Sequence, residues 1–257
     1  MKLEINQEIF EQHPDLKVGA ILIKGVNNAR RVSAVEGLLR GMSAQKAREF
    51  EGKDIFEERM IGVWCNAYGK FGQNPTKKLP PLVALLKKIK KEKELPHESV
   101  LYDLCRYFSL KYMMPVTGKD MDWLCGDLNL GFTKGKEPFR PKGSIEVKKA
   151  KEGEAAYFDE GGIISRFWNS EECERTKLTS KTVNVLILME DLSRMHMDEF
   201  GNILREMETA ITKYVGGSVE KHILNEENNY MELGIRGRSQ ADDSKIPQQE
   251  KAHFLKQ

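Results

Sequence analysis

The sequence contains no apolar run near the ~20 residues that a membrane helix needs. Its start, Met1-Lys2-Leu3-Glu4-Ile5-Asn6, has neither the apolar stretch nor the small-residue cleavage site of a secretory leader. Both absences point to the cytoplasm and away from a membrane. Only four cysteines occur among 257 residues: Cys65, Cys105, Cys125 and Cys173. They are scattered, with no Cys-x-x-Cys pair and no closely spaced histidines. That spacing argues against a disulfide framework or a zinc site, so four reduced thiols are expected and no metal or cofactor. Also missing are a Gly-x-x-x-x-Gly-Lys-Ser/Thr loop, a Gly-x-Gly-x-x-Gly after a strand and a Gly-x-Ser-x-Gly elbow. Without an ATP-binding signature the chain does not read as a complete ligase. None of the five histidines neighbours an obvious nucleophile, and each reads as a surface or loop residue.

Charge is abundant and balanced. Lys plus Arg total 41 against 39 Asp plus Glu, a net charge of +2, with 31% charged and 40% hydrophobic residues. This is the composition of a globular protein with enough chain to bury a core. A nearly neutral total neither requires nor excludes a nucleic-acid partner, because the local field decides.

The apolar pattern divides the chain. The β-branched run from Val18 to Val26, closed by Gly25, predicts a buried strand. Val32, Val35, Leu38 and Leu39 have helical spacing over 29–50. Ala67 to Pro75 is a turn-rich link that ends a preceding helix. After Pro80-Pro81, the residues Leu82, Leu85, Leu86 and Ile89 share one helical face and lysines take the other, with proline in the first turn and lysines in the last. Another helix is predicted from about 99 to 113, ended by Pro115. From Gly126 short β-prone pieces follow: 127–133, 155–159, 163–168 and 183–189. Phe200, Ile203, Leu204, Met207, Ile211 and Val215 then mark an amphipathic helix over about 197–215, stopped by Gly216-Gly217. Helices first, strands second and one closing helix give an α+β class. Residues 1–234 are expected to form one domain and 235–257 a disordered tail.

Two stretches could carry chemistry. Arg166 to Thr179 packs three glutamates, two arginines, an amide and three hydroxyls beside the aromatic pair Phe167-Trp168. It reads either as a solvated loop or as a pocket rim, and composition leaves both open. Seven lysines lie between Lys77 and Lys93; Lys87, Lys88, Lys90 and Lys91 form the densest group. Such a face either contacts phosphates or only keeps the chain soluble. Trp64, Tyr68 and Phe71 read as core packing.

In their order and spacing these stretches resemble a known family, the B-three/B-four tRNA-editing module of the phenylalanine–tRNA ligase beta subunit. Tyr102 to Asp120, Gly126 to Phe132 with the following Lys-Gly-Lys-Glu, Glu174-Arg175-Thr176, and Thr182 to Leu188 each match a piece of that module. Its stand-alone relatives share further stretches: His13-Pro14-Asp15-Leu16-Lys17-Val18-Gly19; Trp64, Ala67, Tyr68, Phe71 and Gly72; and Arg166, Trp168 and Asn169 followed by Glu174 to Lys177. The resemblance covers roughly residues 10–225. It departs at Thr117, where the ligase module has a histidine, and at His97, Glu98 and Ser99, where that module has asparagines.

The resemblance implies a layered mixed-sheet α+β fold with an N-terminal helical portion. It also implies a tRNA-binding protein with trans-editing activity, hydrolysing the aminoacyl ester of mischarged tRNA through a positioned water. The alternative is a non-catalytic module for tRNA or an amino acid, and a third reading is an adaptor that docks to an aminoacyl-tRNA ligase. By the same resemblance Glu174 recognises a side-chain group. Asn169, Arg175, Thr176 and Thr117 shape the substrate pocket. Lys87, Lys88, Lys90 and Lys91 hold tRNA, and Asp103 fixes local structure.

Overall fold

A computed structural model of the chain describes residues 1–92 and 94–234. Its centre is a pair of strands, β2 (Lys17–Lys24) and β10 (Asn184–Asp191), aligned antiparallel over their full lengths. Both are almost continuously apolar because both of their faces are covered. Side chains alternate, so Val185, Ile187 and Met189 face one way and Leu186 and Leu188 the other.

The first set meets α5 (Val100–Tyr112) and α6 (Met197–Tyr214) through Leu104, Phe108, Phe200, Leu204 and Met207. α6 lies close on β2: a Cβ added to Gly19 would stand 2.4 Å from Leu204. The second set packs with Leu128, Leu130, Ala156, Ile164 and Trp168 from another sheet.

Among the described residues the central sheet has the order β11-β2-β10-β3, with β3 at Val116–Asp120 and β11 at Ser218–Leu224, all antiparallel. The facing sheet is β12-β1-β4-β7-β8-β9. Its strands are β1 (Lys2–Ile5), β4 (Leu128–Lys134), β7 (Glu152–Asp159), β8 (Gly162–Arg166), β9 (Glu171–Glu172) and β12 (Tyr230–Glu232). β1 runs parallel to β4 and the other pairings are antiparallel, so the sheet is mixed. A small ribbon, β5 (Pro138–Phe139) with β6 (Lys148–Lys149), sits beside β8.

A third apolar cluster joins α2 (Ser33–Glu49), α3 (Arg59–Lys70) and α4 (Pro81–Glu92) through Leu39, Ile61, Leu82, Leu86 and Ile89. It shares helices with the sheet cores. α5 gives Leu110 to it, and α3 turns Ile61 toward it while Trp64 and Tyr68 enter the layer between the sheets.

The α+β class and layered mixed sheets stand as the sequence indicates. The order of elements needs correction. Two strands and the short α1 (Gln7–Gln12) precede the helices, and β11 and β12 follow α6, so no helix closes the described chain. The first and last strands are three or four residues long, too short for the alternation of Lys2-Leu3-Glu4-Ile5 to announce a strand; they form because long-range neighbours offer open edges. The expected tail at 235–257 lies outside the described residues, as does Lys93. Among the described residues no helix is long and apolar enough to cross a membrane.

Candidate functional site: a charged cluster and a lysine groove

The chain leaves β8 through two successive left-handed residues, Phe167 (φ 50°) and Trp168 (φ 62°). Such a conformation is costly for large side chains and persists only where surroundings hold it. Trp168 is held on every side. Its ring meets His13 at 5.0 Å and Trp64 at 5.4 Å edge-on, and its Nε1 donates to Glu190 Oε1 at 2.6 Å.

Glu190 is fully buried on β10. It also accepts from Tyr157 Oη at 2.7 Å and from Asn169 Nδ2 at 2.5 Å, while Tyr68 Oη donates to Asn169 Oδ1 at 2.8 Å. Burial pushes the Glu190 carboxyl upward, and its donors and the Lys119 charge pull it back only in part. Asn169 is therefore a core residue that completes this network.

The turn then reverses into β9, where residue parity matters. Ser165 pairs with Glu172, which directs that carboxylate toward α5. There it accepts from Tyr102 Oη at 2.9 Å, and lies 3.4 Å from Lys142 Nζ and 3.7 Å from Lys119 Nζ. Burial raises the Glu172 carboxyl, but these cations and the hydroxyl outweigh it and hold it below the ordinary glutamate range.

Lys119 is buried on β3 and donates to Ser165 Oγ at 2.7 Å. Thr117 shares its face of the strand, and among the described residues the buried Thr117 Oγ1 has no hydrogen-bond partner. Cys105 of α5 completes the surroundings; burial, then the Glu172 charge, pushes its thiol up to about 12. At the outer edge of this cluster Lys142 also reaches Glu98 at 3.3 Å, and Glu98 pairs with Arg106. Cations and carboxylates alternate from Arg106 to Lys119, a pattern suited to a zwitterionic or ester-bearing group rather than an apolar one.

Glu174, two residues on, points elsewhere. Its Oε2 accepts from the Gly143 N–H at 2.7 Å and its Oε1 from Lys177 Nζ. Burial raises this carboxyl, but the Gly143 amide, Lys177 and Arg140 together lower it below the usual value. Glu174 thus pins the β5–β6 hairpin to the loop after β9. Arg175 makes a fork to buried Asp159, with distances of 3.0 and 2.5 Å, and donates to the Trp123 carbonyl. Thr176 Oγ1 lies 3.2 Å from Cys173 Sγ, and its backbone carbonyl accepts from the Asp120 N–H. Asn169, Glu174, Arg175 and Thr176 therefore bond to four separate sets of partners, apart from the charged cluster of Glu172, Lys119 and Lys142.

Asp103 is buried, with Oδ2 2.6 Å from His97 Nδ1 and Oδ1 accepting from the Glu98 N–H. This holds the loop before α5, and Ser99 caps the helix by accepting from the Tyr102 N–H. His13 is a correction to the reading of the histidines as surface or loop residues: it is buried against Trp168. Burial, then Lys70, lowers its pKa to about 4.

Lys119, Glu172, Tyr102 and Glu190 escape sequence reasoning. The one available signal is the Thr117/Lys119 alternation within Val116–Asp120.

On the helical side, Lys87, Lys88, Lys90 and Lys91 project from the outer face of α4 while Leu82, Leu86 and Ile89 are buried. Lys88 has Glu92 at 3.8 Å, and Lys90 Nζ donates to the Lys53 carbonyl at 2.5 Å. Lys87 and Lys91 have no ion pair among the described residues. Between this face and the 3-10 turn Ile55–Glu57 lies a groove of about 460 Å³. Lys78 is already engaged, with Glu171 at 2.6 Å.

Comparison with known proteins places these features in a lineage. The uncharacterized protein YhzB of Bacillus subtilis (strain 168) is 21% identical over 224 residues, covering 87% of this chain and 100% of that protein. An N-terminal fragment of the phenylalanyl-tRNA synthetase beta-subunit from Pyrococcus horikoshii, known from a crystal structure, is similar at TM-score 0.42 and 11% identity. That similarity covers 86% of this chain and 53% of the fragment, so the chain spans about half the fragment's length. The model of the B3/4 domain matches residues 63–201, from within α3 to the first turn of α6, and the chain belongs to the B3/4 domain family.

Proposed function

We propose that this chain binds tRNA and receives its aminoacylated end at the charged cluster of Glu172, Lys119 and Lys142, acting in trans on the ester of a mischarged tRNA. One observation carries the tRNA part: Lys87 and Lys91 stand on α4 without carboxylate partners while most buried charges of the protein are paired. Unpaired surface cations are the groups that condense onto a phosphate backbone and release its counterions. The sequence resemblance to the ligase's editing module directs the reading to tRNA rather than to nucleic acid in general.

For the ester, Thr117 Oγ1 is buried and lacks a partner among the described residues, so it takes the attacking water or the ester oxygen only once the aminoacyl end opens the cluster. Lys119, on the same face of β3, and its neighbour Glu172 then meet the charges of an α-amino acid. Glu174, Asn169, Arg175 and Thr176 brace the surrounding loop through their own bonds.

The test is a deacylation screen of the purified protein against correctly charged and mischarged tRNAs, with parallel binding measurements. Hydrolysis of one mischarged species, lost in Thr117→Val with tRNA affinity kept, supports the proposal. Absence of tRNA binding sinks it.

A second reading, a binding module without hydrolysis, is favoured by a specific observation. Asn169, Arg175 and Thr176 are all bonded within the chain, which leaves Thr117 to orient a water by itself. Retained binding with no deacylation across the panel selects this reading.

A further inference from the structure

The groove beneath α4 has two unlike walls. One is the basic edge of α4, with Lys87, Lys90 and Lys91; the other is the turn from Lys53 to Phe56. Lys53 and Phe56 precede residue 63, so this second wall lies outside the segment that the B3/4 family match accounts for.

Among the described residues the one carboxylate that lines the groove, Asp54, is engaged: it accepts the Phe56 N–H at 2.9 Å and caps the turn. That bond also fixes the backbone that aims the Phe56 ring. The ring is partly exposed, and Lys87 Nζ stands over its face at 5.0 Å. An aromatic face covered only by a flexible ammonium is open to exchange, since any planar ring that displaces Lys87 releases that charge to a phosphate alongside.

From this geometry we infer that the groove takes one unpaired nucleotide of an RNA strand. Its base stacks on Phe56, and its flanking phosphates lie on Lys53, Lys87 and Lys91. About 460 Å³ between a short turn and one helix has room for a nucleotide and none for a duplex. A base held in a pair cannot turn its face to the ring, so the groove selects single-stranded segments such as a tRNA loop or end. The site stacks without reading a base edge, because Asp54 is engaged by its own turn and the lysines are given to the phosphates. The inference rests on the tRNA-binding reading and narrows it to a strand conformation.

The experiment measures binding of tRNA, an unstructured RNA oligonucleotide and a duplex of equal length to the full chain at several salt concentrations. The wild type should prefer the single strand over the duplex. Phe56→Ala should weaken single-strand binding about tenfold with an unchanged salt slope, because stacking releases no counterions. Phe56→Leu, which keeps an apolar side chain against the helical cluster, should show the same loss, and Phe56→Trp should restore binding. Lys53→Gln with Lys91→Gln should lower the log–log slope by about 0.7 for each contact.

Equal affinity for single and double strands, or Phe56→Leu behaving as wild type while tRNA still binds, overturns the stacking site and leaves the tRNA reading intact. Failure of the wild type to bind any RNA overturns both.

Discussion

The interior around β9 and β10 and the outer face of α4 are both dense in charge, and they treat it oppositely. In the interior every carboxylate of the network is met: Glu190 by three donors, Asp159 by the Arg175 fork, and Glu154 by Arg166 at 2.7 and 2.8 Å. On α4, Lys87 and Lys91 stand unpaired beside a groove. Burial forces the difference, since a charge withdrawn from water is tolerated only with partners, whereas a solvated ammonium needs none. The contrast separates charges already satisfied within the fold from charges open to solvent, and most of the polar stretch from 169 to 176 falls in the first group.

The strongest way to break this comparison is at Glu190. Glu190→Ala would strand the Tyr157 hydroxyl, the Trp168 indole N–H and the Asn169 amide together, and should cost on the order of 3–5 kcal/mol of unfolding free energy. Urea denaturation measures it. A loss under about 0.5 kcal/mol, the usual range of a surface substitution, would show that the buried network is not holding the fold.

Replacing Lys87, Lys88, Lys90 and Lys91 together with Gln should do the reverse. Denaturation should stay close to wild type, while the salt slope of tRNA binding falls by about 0.7–0.9 for each phosphate contact removed. An unchanged slope would reduce these lysines to solubilising surface.

A smaller effect sharpens the picture at His13. Its folded pKa of about 4 lies below the ordinary 6.5, so the unfolded chain takes up the proton first as pH falls. Stability from the neutral ring is therefore full above pH 6.5 and lost progressively toward pH 4. In melts between pH 7 and 5, above the range where most carboxylates titrate, His13→Phe should flatten the decline. A variant that declines as steeply as wild type would mean that His13 is solvated.

The least costly change should be Glu174→Ala, at about 1 kcal/mol, because the carboxylate is only partly buried and binds one amide and one lysine. Its signature should be local: faster hydrogen exchange at the Gly143 amide, with Glu174→Gln intermediate. Unchanged exchange at Gly143 would remove the latch assigned to Glu174.

Several elements are legible in the amino-acid sequence alone. The β-branched run of β2, the Thr182–Leu188 run that becomes β10, and the lysine-and-leucine alternation of α4 all announce themselves by local period. α6 ends at Gly216 and Gly217, both with positive φ, where the sequence indicates. The charged cluster is less legible. A dense polar segment marks the neighbourhood, but pairing of Ser165 with Glu172 is what turns Glu172 inward, and that parity depends on a partner strand; β9 ends there, so Glu174, two residues on, leaves the alternation and bonds the Gly143 amide instead. The Arg175–Asp159 fork and the burial of His13 likewise join residues far apart in the chain.

By itself the sequence determined the apolar faces, and through them the α+β class and the elements strong enough to form from local pattern, because period and burial are linked by the geometry of one helix or one strand. It also determined that lysines would crowd one face of α4. Only the tertiary structure decided which charges meet and which stay free. It made Glu190 a core acceptor, gave Lys119 to Ser165 and Glu172, left Thr117 Oγ1 unpartnered, and brought Lys53 and Phe56 opposite Lys87 and Lys91. The reason is physical: a charge acquires its partner through long-range packing, and no local period encodes the position of a residue on another strand.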